Sequence, residues 1–168
     1  DGYVTVDRLE QRYLSGIDLN DGEAVFFITP AKGYCLTKRL IASKMVPAAK
    51  FLKTEIVPYG GMLEGTLNKI KKLGLKRVAF DPALIDWERG NALQQAGLCH
   101  AAGLIGEMRM AKYPDEVAKL RKACQMAWHS FEEVKPLIKT GMTEDEVRIL
   151  MALAMHKRGA DSIPFNIV

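Results

Sequence analysis

The side chains able to do acid–base, nucleophilic or metal chemistry are scattered through this sequence rather than gathered in one motif. Carboxylates stand together at Glu132 and Glu133 and again at Glu144, Asp145 and Glu146, and paired carboxylates are what general acid/base catalysis uses. Successive residues of a helix point about 100° apart, so the two groups read instead as a solvated face and as a helix start, where the dipole favours negative charge. His129 and His156 fall in helical segments without a partner at i, i+4 to share a metal ion, and His100 stands alone. Cys35, Cys99 and Cys124 are far apart and in no CxxC arrangement, which points to free thiols in a reducing compartment. Cys35 and Cys124 sit in apolar patterns and are expected to serve as small core residues. Asp81 follows a strand-like segment and precedes Pro82, at the edge where α/β sheets bind ligands; the favoured reading is an Asp that begins a turn or caps a helix. The residues taken singly designate no catalytic and no metal site.

The elements that would position these residues change character along the chain. "GYVTV" (2–6) and "EAVFFITP" (23–30) are β-branched or aromatic, and the unbroken apolar centre of the second predicts a strand covered on both faces. "PAKG" (30–33) supplies turn chemistry into "YCLT", predicting a hairpin. Helical patterning follows in "LIASKMVPAAKFL" (40–52), a strand in "EIVPY" (55–59), and a helix in "MLEGTLNKIKKLG" (62–74) with Gly74 as its stop. "RVAFD" (77–81) and a helix near "WERGNALQQAG" (87–97) complete an α/β rhythm with a buried, mixed sheet flanked by helices.

From Met110 onward the pattern holds two long helices and no strand until the final residues. Pro114 suits a first helical position, with Asp115 and Glu116 in the first turn. Val117, Leu120, Cys124, Ala127, Phe131, Val134 and Ile138 draw one apolar stripe, and Pro136 is expected to kink or end that helix early. "TEDE" (143–146) forms a capping box for the second helix, whose apolar face is Val147, Leu150, Met151 and Ala154. "SIPFNIV" (162–168) reads as a strand entering a core, so the chain is expected to be cut just as a second domain begins. Domains of 1–110 and 111–168 follow from this.

The 168 residues are 48% hydrophobic and 26% charged with a net charge of +4, an ordinary globular composition. No apolar run approaches the roughly 20 residues of a membrane span, and "DGYVTVDRLEQ" carries no secretory signal pattern, so a cytoplasmic protein without membrane partners is expected. The densest basic stretch, "NKIKKLGLKR" (68–77), is interleaved with Ile70, Leu73 and Leu75 rather than with stacking aromatics, which argues against a nucleic-acid partner.

The ordered set "YLSG" (13–16), "GYCLTKR" (33–39), "RMAKYPDEVAKLRKACQMA" (109–127), "GMTEDEV" (141–147) and "KRGADSIPFNIV" (157–168) resembles the front part of the creatinase/prolidase/Xaa-Pro aminopeptidase family. Its specific part is Arg109, Lys112, Pro114 and Glu116, followed by Gly-Met-Thr-Glu. The resemblance implies an N-terminal creatinase-like α/β domain followed by the first two helices of a truncated pita-bread metallopeptidase domain. It implies that the ligands for two divalent ions (Mn, Co or Zn), namely two Asp, one His and two Glu, follow in the parent protein, so that this chain alone holds no cofactor and no catalytic residue. Two such ions about 3.5–4 Å apart share a hydroxide that attacks a peptide carbonyl.

The same resemblance implies proline-containing peptides as the parent's substrates and a homodimer formed through the N-terminal domain, which pairs subunits and narrows access to the site. Where the family commonly has Thr-Asp-x-Arg-Tyr after the hairpin, this chain has Thr37, Lys38, Arg39 and Leu40. Arg39 is the candidate substrate-binding residue, acting across a subunit interface; its plainer reading is an exposed charge after a strand. A non-catalytic peptidase-like module that binds peptides or proteins, and a creatinase-type amidinohydrolase, are the alternatives.

Overall fold

The computed structural model describes residues 1–48, 50–58 and 60–163. The strand expected within 162–168 lies, from Pro164 on, outside the described residues. The chain divides into two compact units, Asp1–Ala111 and Lys112–Val168.

The first unit is a mixed six-stranded sheet flanked by helices. Strand β1 (Gly2–Thr5) leads into helix α1 (Arg8–Ser15); β2 (Ala24–Ile28) and β3 (Gly33–Thr37) form the expected hairpin. Then come α2 (Arg39–Ala42), a 3₁₀ segment (Ser43–Ala48), β4 (Leu52–Ile56), α3 (Met62–Lys72) and β5 (Val78–Phe80). A 3₁₀ turn (Pro82–Leu84), α4 (Trp87–Gln95), β6 (Cys99–His100) and α5 (Leu104–Met110) close the unit. The strands lie in the order β4-β3-β2-β1-β5-β6. β1 is antiparallel to β2, with Val4 opposite Phe27, and parallel to β5, with Val4 opposite Phe80.

The period-2 alternation of the strands sorts the core into two layers. Val4, Val25, Phe27, Leu36 and Phe80 point to one face, where Ile70 of α3 and Leu93 of α4 cover them. Ala24, Phe26 and Cys35 point to the other, under Leu19, Ile41, Met45 and Ala48. Phe26 and Phe27 are both fully buried, as the unbroken apolar run of β2 predicts for a strand covered on both sides. Gly33 opens β3 because a Cβ there would meet Leu52 Cδ2 at 2.5 Å.

Two expectations for this unit need correction. The helix expected over 40–52 is only α2 plus a 3₁₀ segment. Pro47 lies inside that 3₁₀ segment and has no N–H with which to continue an α-helix. Ile41, Met45, Ala48 and Leu52 keep helix-like spacing yet turn inward from three different elements. The strand expected at 55–59 is β4 instead, starting at Leu52, with Tyr59 outside the described residues. Helices α1 and α5 and the short β6 had no expectation at all. Asp7 caps α1, its Oδ1 accepting from Glu10 N at 2.8 Å.

The second unit contains α6 (Pro114–Val134), a 3₁₀ turn (Lys135–Leu137) and α7 (Glu144–Lys157). Pro114 opens α6, the Glu116 carboxylate accepts from Tyr113 N at 2.9 Å, and the α-helix ends two residues before Pro136. Thr143 and Glu146 form the capping box: Glu146 N donates to Thr143 Oγ1 at 3.2 Å, and Thr143 N to the Glu146 carboxylate at 2.7 Å. α7, about 21 Å long, is shorter than α6, about 31 Å. The stripe of α6 is buried at Val134, whereas Val117, Leu120, Phe131 and Cys124 are exposed. Cys124 is therefore not a core residue as expected.

Candidate functional site

The polar groups that the fold gathers most tightly lie at the carboxyl ends of the parallel strands β1 and β5. Tyr3 and Thr5 alternate with Val4, so they face α1 while Val4 faces the opposite layer. Glu10, on the sheet side of α1, is 1% exposed and accepts the Tyr3 hydroxyl at 3.0 Å. Gln11, equally buried, donates from Nε2 to the carbonyls of Ala24 (2.9 Å) and Thr5 (3.3 Å). Asp81 follows β5: its Oδ1 accepts from Ala83 N at 2.9 Å and its Oδ2 from Gly103 N at 2.7 Å. One carboxylate thus caps the 3₁₀ turn and also ties down the loop that starts α5.

Burial pushes the Glu10 carboxyl above its ordinary range, with Asp7 and Asp81 adding to the rise and the Thr5 and Tyr3 hydroxyls opposing it. Burial beside Glu10 likewise raises the Tyr3 phenol. These features could suggest a proton-holding site. The cavity that Tyr3, Thr5, Glu10, Asp81, Leu84 and Ile85 enclose is only about 10 Å³, at the lower limit for one water. The cluster is a structural joint between sheet and helix, and Asp81 fills the turn-capping role favoured for it. Tyr3, Glu10 and Gln11 escaped the sequence reading; the Asp7–Glu10 spacing ahead of Tyr13 and Leu14 was the available signal.

The remaining sequence candidates are dispersed. Arg39 opens α2 right after β3 and is exposed, next to Leu40 at 84% exposure. His100 stacks edge-on against Phe80 with ring centroids 5.2 Å apart. His129 is exposed on α6, and His156 holds the Ala160 carbonyl through Nδ1 at 2.8 Å. Glu132 is exposed, and its neighbour Glu133 pairs with Arg158, which holds the Glu133 carboxyl below its usual range. Asp145 pairs with Arg148 at 2.7 Å, and the capping bonds from Thr143 keep the Glu146 carboxyl low. Cys35 is buried, which pushes its thiol up to about 12, while Cys99 and Cys124 are exposed. Among the described residues no group of three or more His, Cys, Asp or Glu is placed to hold a metal ion. A dinuclear carboxylate site therefore does not fit the residues described. Nor is any described helix long and apolar enough to cross a membrane.

Comparison with known proteins places this geometry. The chain is 25% identical over 174 residues to an uncharacterized peptidase, YqhT, of Bacillus subtilis, a match covering 100% of this chain and 48% of that protein. Its fold matches the X-Pro aminopeptidase from Thermotoga maritima with a TM-score of 0.84 at 20% identity, over 99% of this chain and 49% of the other. It matches the Xaa-Pro dipeptidase from Bacillus anthracis with a TM-score of 0.86 at 22% identity, over 96% of this chain and 46% of the other. The chain thus spans about half the length of these relatives. Residues 1–111, the whole of the sheet-bearing unit, match the Creatinase/Prolidase N-terminal domain, and the chain belongs to that family.

Proposed function

We propose that this chain is the N-terminal, non-catalytic portion of a dinuclear-metal Xaa-Pro peptidase of the aminopeptidase P or prolidase type. One observation carries the proposal: nearly all of this chain, and only about half of each relative, is shared with proteins named as X-Pro aminopeptidase and Xaa-Pro dipeptidase. Residues 1–110 form the creatinase-like domain in this reading, and 111–168 supply the first elements of the pita-bread domain. The parent protein is cytoplasmic, binds two divalent ions (Mn, Co or Zn) through ligands beyond this chain, and cleaves proline-containing peptides.

The role of the chain in the parent is to pair subunits and to narrow access to the site. Arg39, exposed at the start of α2, reaches substrate across the subunit interface. Its guanidinium suits a peptide carboxylate, which it can hold by two parallel hydrogen bonds.

The test is steady-state hydrolysis of Xaa-Pro dipeptides and longer Xaa-Pro peptides by the parent protein, metal-depleted and then resupplied with Mn²⁺, Co²⁺ or Zn²⁺. Metal-dependent release of the N-terminal residue is expected. Arg39→Glu is expected to raise KM by about tenfold or more with kcat nearly unchanged, the signature of lost uniform binding. A parent that binds such peptides without cleaving them would overturn the enzymatic reading in favour of a binding module, and turnover of creatine would overturn it in favour of an amidinohydrolase.

A further inference from the structure

Glu10 is a buried acid that no described cation pairs with. Both its oxygens accept from the Tyr3 hydroxyl, at 3.0 and 3.1 Å. The groups that act on it are the Tyr3 and Thr5 hydroxyls of β1 and two further carboxylates, Asp7 at the start of α1 and Asp81 after β5, with no described Lys or Arg among them. The two cations of α1 serve the surface instead, Arg8 and Arg12 both reaching Asp18, at 2.9 and 3.8 Å. α5, in contact with α1, buries Ile105, and none of its charged side chains is among those groups. A carboxylate so placed is costly, and the group is driven to keep its proton.

Ionised, Glu10 needs water, and the closed joint has no room for it. The cavity it shares with Tyr3, Asp81, Leu84 and Ile85 is about 10 Å³, space for one water at most. Hydration therefore requires the walls to part. Asp81 fastens two of them, the 3₁₀ turn through Ala83 N and the loop before α5 through Gly103 N, and a second negative charge at Glu10 repels that clip. We propose that Glu10 is a proton latch: the neutral acid closes the joint of β1, α1 and the Asp81 turn, and loss of its proton opens the joint and frees α5. The step is a simple dissociation in which the Glu10 O–H bond breaks, the proton passes to solvent, and the electron pair stays on a carboxylate that gains hydration as the joint opens. Burial, and then the Glu10 charge, raise the Tyr3 phenol as well, so Glu10 is the acid of the pair that titrates first. α5 ends at Met110, one residue before the sheet-bearing unit does, so the latch sets how firmly the last helix of that unit is held. The inference uses neither metal nor peptide and stands apart from the peptidase reading.

The experiment is a carbon-13 NMR titration of the glutamate side-chain carboxyls in the full chain, combined with amide exchange of α5 and β2 corrected for the intrinsic effect of pH. Glu10 is expected to titrate above the ordinary Glu range. The open fraction read from α5 amides should rise about tenfold per pH unit from that range up to the Glu10 midpoint and level off above it, while exceeding the open fraction of β2 at every pH. In E10Q, whose side chain has no such proton to lose, the α5 slope should vanish. Should E10Q fail to fold, Y3F serves: it removes a hydroxyl that favours the charged form, so the Glu10 midpoint and the end of the slope should both move to higher pH. Titration of Glu10 in the ordinary range, an α5 open fraction that ignores pH or equals that of β2, a slope kept in E10Q, or a Y3F midpoint that stays or moves down would overturn the proposal.

Discussion

Replacing Asp81 by Ala tests whether its carboxylate is a structural clip. The side chain is 6% exposed and accepts two backbone N–H groups, from Ala83 at 2.9 Å and from Gly103 at 2.7 Å. A hydrogen bond to a charged group contributes about 1.5–3 kcal/mol. Ala83 is exposed and Gly103 half-buried, so water recovers part of each bond in the variant. The expected loss is therefore about 2–4 kcal/mol, toward the low end of two full bonds. With a urea m-value of about 2 kcal/mol/M, the unfolding midpoint should fall by about 1–2 M.

Asp81→Asn keeps one acceptor oxygen but turns its amide donor toward the other N–H, so an intermediate loss is expected. The damage should also be local. Gly103 caps α5 at φ 73°, and α5 packs on α1, so amide exchange should quicken in α5 before the central strands. A midpoint within about 0.2 M of the parent chain would refute the reasoning. It would reopen the reading of Asp81 as a ligand-binding group at the sheet edge.

Glu10→Gln removes a carboxyl whose folded-state pKa is raised mainly by burial. A raised pKa contributes stability that is fully present below the ordinary Glu range and is lost as pH rises through the folded value. The melting temperature of the variant relative to the parent chain should therefore climb as pH rises above the ordinary Glu range, and a constant difference would contradict the burial argument. Cys99 and Cys124 should react with a disulfide reagent at about pH 8 while Cys35, buried with its thiol pushed up to about 12, reacts only on unfolding; three fast thiols in the native chain would refute this. Thr143→Ala deletes the oxygen that accepts Glu146 N at 3.2 Å, at a cost of about 1 kcal/mol, read as faster amide exchange in the first turn of α7; unchanged exchange there would count against the cap.

What the sequence by itself determined was local. "PAKG" set the β2–β3 hairpin, "TEDE" capped α7, Pro114 opened α6, and the apolar run in β2 foretold burial on both faces, because each depends on neighbours within a few residues. The motifs from Tyr13 to Val168 carried the family resemblance for the same reason. Tertiary structure alone decided the rest. Helical spacing in Ile41, Met45, Ala48 and Leu52 could not reveal that Leu52 begins a strand, since Pro47 and the partner β3 settle that choice. Cys124 lies on the part of a helical stripe that stays exposed, because burial requires a covering element and periodicity supplies only a face. Asp81 announced a turn, but its second partner, Gly103, is 22 residues away and meets it only after β5, α4 and β6 have been laid in place. The edge position of β4 among the described strands is likewise a property of the strand order, which side-chain pattern does not encode.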